Sequence, residues 1–117
     1  MKPRYLIIGM GAAGVSAAEA IRDASAEAEI TLIGDERVGF YSRPGLAYYL
    51  TQEIPEKHLF PFGKEDFQRL RLQILHARVV DIAPQEHYVT LHDGRKLAYD
   101  RLLIATGASA AQPSLPN

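Results

Sequence analysis

The chain contains no cysteine. Disulfides, thiolate metal sites and a redox-active cysteine pair are therefore excluded within it. Neither sign of charge dominates: 13 Lys and Arg against 14 Asp and Glu leave a net charge of −1. Nothing in that balance points to nucleic acid or to an anionic membrane surface. No apolar run approaches the ~18 residues of a membrane-spanning helix, and there are no internal repeats. What remains is 117 residues, 47% of them hydrophobic, which suits one domain with a real core. Lys2 and Arg4 before an apolar, small-residue stretch imitate a secretory signal. Glu19 and Arg22 inside the same helical pattern argue against it, and a cytoplasmic protein is expected.

The most informative string is Tyr5-Leu6-Ile7-Ile8-Gly9-Met10-Gly11-Ala12-Ala13-Gly14. A buried strand runs straight into a GxGxxG turn, and an alanine-rich helical stretch follows to about Glu27. Strand, tight turn and helix in that order form the dinucleotide-binding fingerprint. Gly9 permits the sharp turn out of the strand. Gly11 has no side chain, so a pyrophosphate can approach the backbone, and Gly14 lets the helix pack close. The helix N-terminus then offers free N–H groups and a partial positive charge. A second strand, Glu29 to Ile33, ends in Gly34-Asp35-Glu36. An acid at that point accepts hydrogen bonds from the hydroxyls of an adenosine ribose, and Asp35 lies about where a βαβ unit places it.

Along the rest of the chain, Ala13, Ala17, Ala20, Ile21 and Ala24 recur at helical spacing and predict the face that lies on the sheet. Periodicity disappears from Val38 to Lys57, where Tyr41-Ser42-Arg43-Pro44-Gly45 is turn-rich and Leu46 to Leu50 suits a short helix. A loop of that length in a compact domain is usually functional or disordered. Phe67, Leu70 and Ile74 predict an amphipathic helix over Glu65 to Leu75. Val79 to Ile82 reads as a strand. His87 to His92 alternates as another, Asp93-Gly94 as a hairpin turn, and Arg95 to Tyr99 as the return. Leu102-Leu103-Ile104-Ala105 is a short, fully apolar strand ending in Thr106-Gly107. The domain is expected to occupy 1–107, with 108–117 as a linker containing two prolines. His87 and His92 bracket one strand at odd spacing, which does not suit a metal pair.

GMGAAG at 9–14, LIGDE at 32–36, YSRPGL at 41–46 and YDRLLIATGA at 99–108, in that order, resemble the N-terminal FAD-binding part of the pyridine-nucleotide-dependent flavoprotein reductases. The similarity is to the branch with rubredoxin, nitrite and ferredoxin reductases and apoptosis-inducing factor. It spans nearly the whole chain. In that family the arginine of YxRP follows the first ribose acid by eight residues, as Arg43 follows Asp35 here. The resemblance implies an α/β, Rossmann-like, three-layer fold, a parallel sheet with a β-meander, present as its N-terminal portion. It implies that Gly9, Gly11, Ala12, Ala13 and Gly14 face the FAD pyrophosphate. Asp35 and Glu36 would bind the adenosine ribose, with Arg43 and Pro44 near the pyrophosphate and flavin. Val79 would touch the adenine through its backbone, and Thr106 and Gly107 would end a strand beside the cofactor.

Each assignment has a plainer rival: Arg43 as a surface arginine, Asp35 as a loop cap, Thr106 as a strand terminus. Ligands of open α/β sheets sit outside the carboxyl ends of the strands, which favours the cofactor reading. Two features depart from the family. Many members carry Ser-Lys where Ala47-Tyr48 stands, and that lysine contacts the flavin. The disulfide-reductase branch carries a cysteine near the place of Pro44, so a thiol–disulfide mechanism is unsupported.

The family continues past Thr106-Gly107 into an NAD(P)H-binding domain and then returns to complete the FAD domain. The chain is therefore expected to be a truncation, a proteolytic fragment or one component of a split enzyme. The parent activity implied is hydride transfer from NAD(P)H to FAD and onward electron transfer to a small redox protein or other acceptor. No side chain is read as a general acid or base. Three alternatives stay open: a non-catalytic FAD- or ADP-binding fragment, a subunit that completes its flavin site with another chain, and an NAD-binding domain. Self-association or a completing partner is expected, with no nucleic acid and no membrane contact.

Overall fold

Short apolar runs flanked by turn residues build the frame. In a computed structural model, which describes residues 2–35, 45–59 and 64–107, strands β1 (Arg4–Ile8), β2 (Glu29–Gly34), β3 (Leu72–His76) and β7 (Arg101–Ile104) lie in one parallel sheet of order β3-β2-β1-β7. Strands β4 (Val79–Ala83), β5 (Tyr88–Leu91) and β6 (Lys96–Ala98) form an antiparallel meander of order β4-β5-β6. Helix α1 (Ala12–Ala24) joins β1 to β2. Two short helices, α2 (Gly45–Leu50) and α3 (Lys64–Arg69), and a 3-10 turn, Glu56–Leu59, lie between β2 and β3. The α/β, Rossmann-like expectation holds. Glu36, Arg43, Pro44 and the linker 108–117 lie outside the described residues.

Successive side chains of a strand point to opposite faces, and both faces of β1 and β2 are covered, as in parallel sheets generally. Ile7, Ile30 and Leu32 are buried on one face with Val15 and Ala18 of α1, joined by Leu72 and Ile74. Leu6, Ile8 and Ile33 are buried on the other with Val89, Leu91 and Tyr99 of the meander side, joined by Leu75 and Leu102. Helix, parallel sheet and meander are thus the three layers.

Helix α1 ends earlier than expected and is turned differently. Its last residue is Ala24, and Ser25 closes it by donating its N–H to the Ile21 carbonyl at 2.8 Å. The Arg22 guanidinium then donates to the carbonyls of Leu70 (2.8 Å), Ala26 (3.0 Å) and Ala28 (2.7 Å) beyond the helix end. Burial, and then the charge of Arg71, lower the Arg22 pKa from its usual value. The buried residues are Gly14, Val15 and Ala18, with Ala17 and Ile21 half-buried, while Ala13, Ala20 and Ala24 are exposed. Alanine tolerates either face; the close packing at Gly14 sets the phase.

The helix expected over Glu65 to Leu75 is two elements. α3 stops at Arg69, Arg71 takes a left-handed φ of 55°, and β3 follows. Leu72-Gln73-Ile74-Leu75 fits a period of two as well as part of a helix face. Pairing with β2, from Ile30↔Leu72 to Gly34↔His76, decides for the strand. Leu70, Phe67 and Ile74 still pack inward. The Asp93-Gly94 turn forms as expected, with Gly94 at φ 90° and the Asp93 carboxylate accepting from the Arg95 N–H and Nε at 3.0 and 2.7 Å. Among the described residues no helix is long and apolar enough to cross a membrane.

Candidate functional site

The carboxyl ends of β2, β1 and β7 stand side by side, and the site is built along them. Gly9 leaves β1 at φ 122°, a conformation that side-chain-bearing residues rarely adopt. Its N–H donates to the Ile33 carbonyl of β2 at 2.7 Å, and Ala105 N–H donates to the Ile8 carbonyl at 2.8 Å. A Cβ on Gly9 would overlap the Ala105 carbonyl and approach the Thr106 nitrogen at 3.2 Å. The turn is therefore wedged between the ends of β2 and β7, and Gly9 and Thr106 are brought together. A Cβ on Gly14 would overlap the Gly9 carbonyl, so the first turn of α1 sits directly on the loop.

Gly11 is the N-cap of α1, extended at φ −83° and ψ −166°, with no side-chain cap. Its carbonyl accepts the first helical bond, from Val15 N–H at 3.0 Å. The N–H groups of Ala12, Ala13 and Gly14 precede that bond, so the helix gives them no acceptor. With the helix dipole behind them they form a natural anion site. Thirteen residues of helix stand behind that terminus.

Asp35 follows β2 directly and is exposed. It lines an open pocket of about 600 Å3 with His76, Ala77, Arg78 and His92. The pocket is placed by strand order. Gly34 pairs with His76, and the Ala77 N–H donates to the Gly34 carbonyl at 3.0 Å. Gly34 also leaves room for Met10: a Cβ there would lie 2.8 Å from the Met10 sulfur. Val79 itself turns its side chain into the core between the sheets. Thr106 and Gly107 are exposed past the end of β7.

Read along the strand ends, Asp35 and its pocket stand at β2 and β3, the glycine turn and helix N-terminus at β1, and Thr106 at β7. The row offers carboxylate acceptors at one end, backbone donors in the middle and an open strand terminus at the other. His76, Arg78 and His92 were not read as site residues from the sequence. Nothing local marks them. His76 and Arg78 come beside Asp35 because 72–76 is a strand paired with β2, and His92 because it is bonded to Arg78. His87, the other histidine of the hairpin, stacks on Tyr99 with ring centroids 5.4 Å apart, away from His92's pocket.

The profile of a family described as pyridine nucleotide-disulphide oxidoreductase matches residues 3–117. The ferredoxin–NAD(+) reductase component of a 3-phenylpropionate/cinnamic acid dioxygenase from Photorhabdus laumondii is 40% identical over 111 residues, covering 91% of this chain and 27% of that protein. A rubredoxin–NAD(+) reductase from Pseudomonas putida is 37% identical over 108 residues, covering 90% of this chain and 28% of its own length. The crystal structure of a covalent putidaredoxin reductase–putidaredoxin complex superposes with a TM-score of 0.90 at 32% identity, over 96% of this chain and 27% of that one. The chain thus spans about a quarter of the length of the relatives it matches. With a match over almost every residue, and a glycine turn, helix and acid in the arrangement described, this chain belongs to the pyridine nucleotide-disulphide oxidoreductase family.

Proposed function

We propose that this chain is the FAD-binding portion of an NAD(P)H-dependent flavoprotein oxidoreductase that passes electrons through FAD to a redox protein or small acceptor. The observation that carries the reading is the single row of strand ends, with the Asp35 pocket, the glycine turn with the α1 N-terminus, and Thr106 in sequence. An extended dinucleotide fits that row, because its adenosine, its pyrophosphate and its second half each need a different surface.

Asp35 holds the adenosine ribose hydroxyls, and the backbone beside Val79 borders the adenine. The N–H groups of Ala12, Ala13 and Gly14 hold the pyrophosphate, which Gly9 and Gly11 allow close to the backbone. Thr106 and Gly107 stand on the flavin side. Glu36, Arg43 and Pro44 join the site through the family resemblance alone. Bound FAD supplies the hydride and electron chemistry, and these residues supply binding, orientation and electrostatics. The protein works in the cytoplasm on this reading.

Titration calorimetry with ADP, FAD and FMN tests it. FAD and ADP bind and FMN binds more weakly, since FMN lacks the adenosine and second phosphate. Equal or tighter FMN binding overturns the assignment. A second reading, a nucleotide-binding portion that completes its flavin site with another polypeptide or a further segment, is favoured by β7. That strand is an edge of the described sheet, and Leu103 and Ile104 on it are 40% and 59% exposed. Light scattering across concentrations, beside an NADH oxidation assay with added FAD, separates the two readings.

A further inference from the structure

We propose that His92 is a pH-sensitive positioning residue of the nucleotide pocket: its unprotonated Nδ1 holds the Arg78 N–H, and protonation of that nitrogen removes one of the two bonds that fix the backbone at the pocket wall. The proposal rests on the nucleotide reading of the Asp35 pocket given above.

Arg78 and His92 face each other one step beyond the Val79↔Leu91 pair of β4 and β5. Two residues in a hydrogen-bonded antiparallel pair normally exchange both of their N–H···O bonds. Here only one is a backbone bond, from His92 N–H to the Arg78 carbonyl at 2.8 Å. The reciprocal donor, Arg78 N–H, goes to the His92 ring at Nδ1, 3.2 Å away. The imidazole thus stands in for the carbonyl of its own residue. That bond requires a lone pair on Nδ1, so the neutral ring carries its proton on Nε2. In the doubly protonated ring both nitrogens are donors, and Nδ1–H would face Arg78 N–H.

The segment depends on this bond more than an ordinary strand would. Residues 76–78 are tied to β2 through Ala77 N–H and Gly34. On the other side the regular ladder extends only through the Val79↔Leu91 pair before the register of β4 and β5 shifts between Val79 and Asp81. Between those ties, Arg78 itself is bonded through its N–H and its carbonyl to His92. His92 is exposed. Histidine changes charge between about pH 5 and 8. The charged and titratable groups around it are Asp35 from the end of β2, His76 from the end of β3, Arg78 from the β3–β4 connection, and Asp93 with its partner Arg95 from the hairpin turn.

The test uses the full chain, His92→Asn and His92→Leu at pH ~8 and ~5.5, where histidine is neutral and charged respectively. Asparagine places an acceptor oxygen near the Nδ1 position and does not titrate. Two readouts are taken: the Arg78 amide resonance by 15N NMR, without ligand, and ADP affinity by calorimetry. In the wild type the Arg78 amide shifts with pH, and ADP binds about fivefold more weakly at the lower pH than the asparagine variant's own ratio accounts for, the scale of one hydrogen bond. His92→Asn keeps the Arg78 amide position at both values, and its ADP affinity changes only as far as the other titrating groups require. His92→Leu binds weakly at both. Protonation of Asp35, His76 and the ADP phosphates is common to wild type and His92→Asn, so it cancels from their comparison. An Arg78 amide that moves equally in wild type and His92→Asn, or a His92→Leu affinity equal to wild type at pH ~8, overturns the proposal. Failure of ADP to bind any of the three proteins overturns the nucleotide reading instead, whatever the amide shows.

Discussion

The glycine turn after β1 and the pocket beside β3 share one row of strand ends, but they are made by different means. At the turn, position is enforced by backbone contact. A Cβ on Gly9 would overlap Ala105, and one on Gly14 would overlap Gly9 itself. At the pocket, position is enforced by strand order and side chains: Asp35 just past β2, His76 at the end of β3 with Ala77 and Arg78 after it, and His92 from the hairpin. At Gly9 and Gly14 the first kind of site leaves no room for a side chain, whereas the second is lined by side chains that can be exchanged.

The sharpest way to break this comparison is at Gly9. Gly9→Ala combines a φ of 122° with overlap on a backbone carbonyl. It is expected to cost roughly 3–5 kcal/mol, the sum of backbone strain and overpacking. Urea unfolding measures this, and a loss under ~1 kcal/mol, small against either strain term, would mean the turn relaxes freely. Gly11→Val is the complementary change. Gly11 is extended at φ −83°, so valine fits the backbone. Stability is expected to hold by circular dichroism while ADP binding is lost, because the side chain fills the approach to the α1 N–H groups. Normal ADP binding would remove the pyrophosphate assignment.

At the pocket the effects are graded. Asp35→Ala is expected to weaken ADP by roughly 1–3 kcal/mol, the scale of hydrogen bonds to a charged group, with inorganic phosphate binding unchanged. An unaltered ADP affinity in that variant would leave Asp35 as a loop residue only.

The same contrast explains what could be read from the chain alone. The strand–turn–helix run of 5–14 was legible because glycines at fixed spacing have local geometric consequences. So was the Asp93-Gly94 hairpin, and so were the meander strands, where Val89 and Leu91 alternate with Tyr88 and Thr90 and are buried. The alanines of α1 misled because a small side chain does not report its face. Leu72 to Leu75 misled because a short apolar run satisfies both periods, and only pairing with β2 decides. With β3 read as helix, nothing could bring His76 and Arg78 to Asp35. His92 was visible only as a hairpin residue, since its bond to Arg78 is a fact of register.

The smallest effect sharpens the contrast between local and distant ties. Two carboxylates, the exposed Asp93 and the half-buried Asp100, are held below the usual aspartate range. Asp100 is held low first by its side-chain bonds with Arg4, then by the Arg4 N–H at 2.7 Å. Asp93 is held low first by the Arg95 N–H. A carboxylate whose folded pKa lies below its unfolded value stabilises the fold above the unfolded pKa. That contribution disappears as pH falls through the folded pKa. Both therefore contribute at neutral pH and fade below about pH 4, near the unfolded aspartate value. They differ in the unfolded chain. Asp93 and Arg95 are two residues apart and meet there too, whereas Asp100 and Arg4 are 96 apart and meet only when β1 and β7 pair. Asp100→Asn is thus expected to flatten the acid limb of the urea midpoint against pH more than Asp93→Asn does. Equal slopes in the two variants would show that the distant pair brings no more to the fold than the local one.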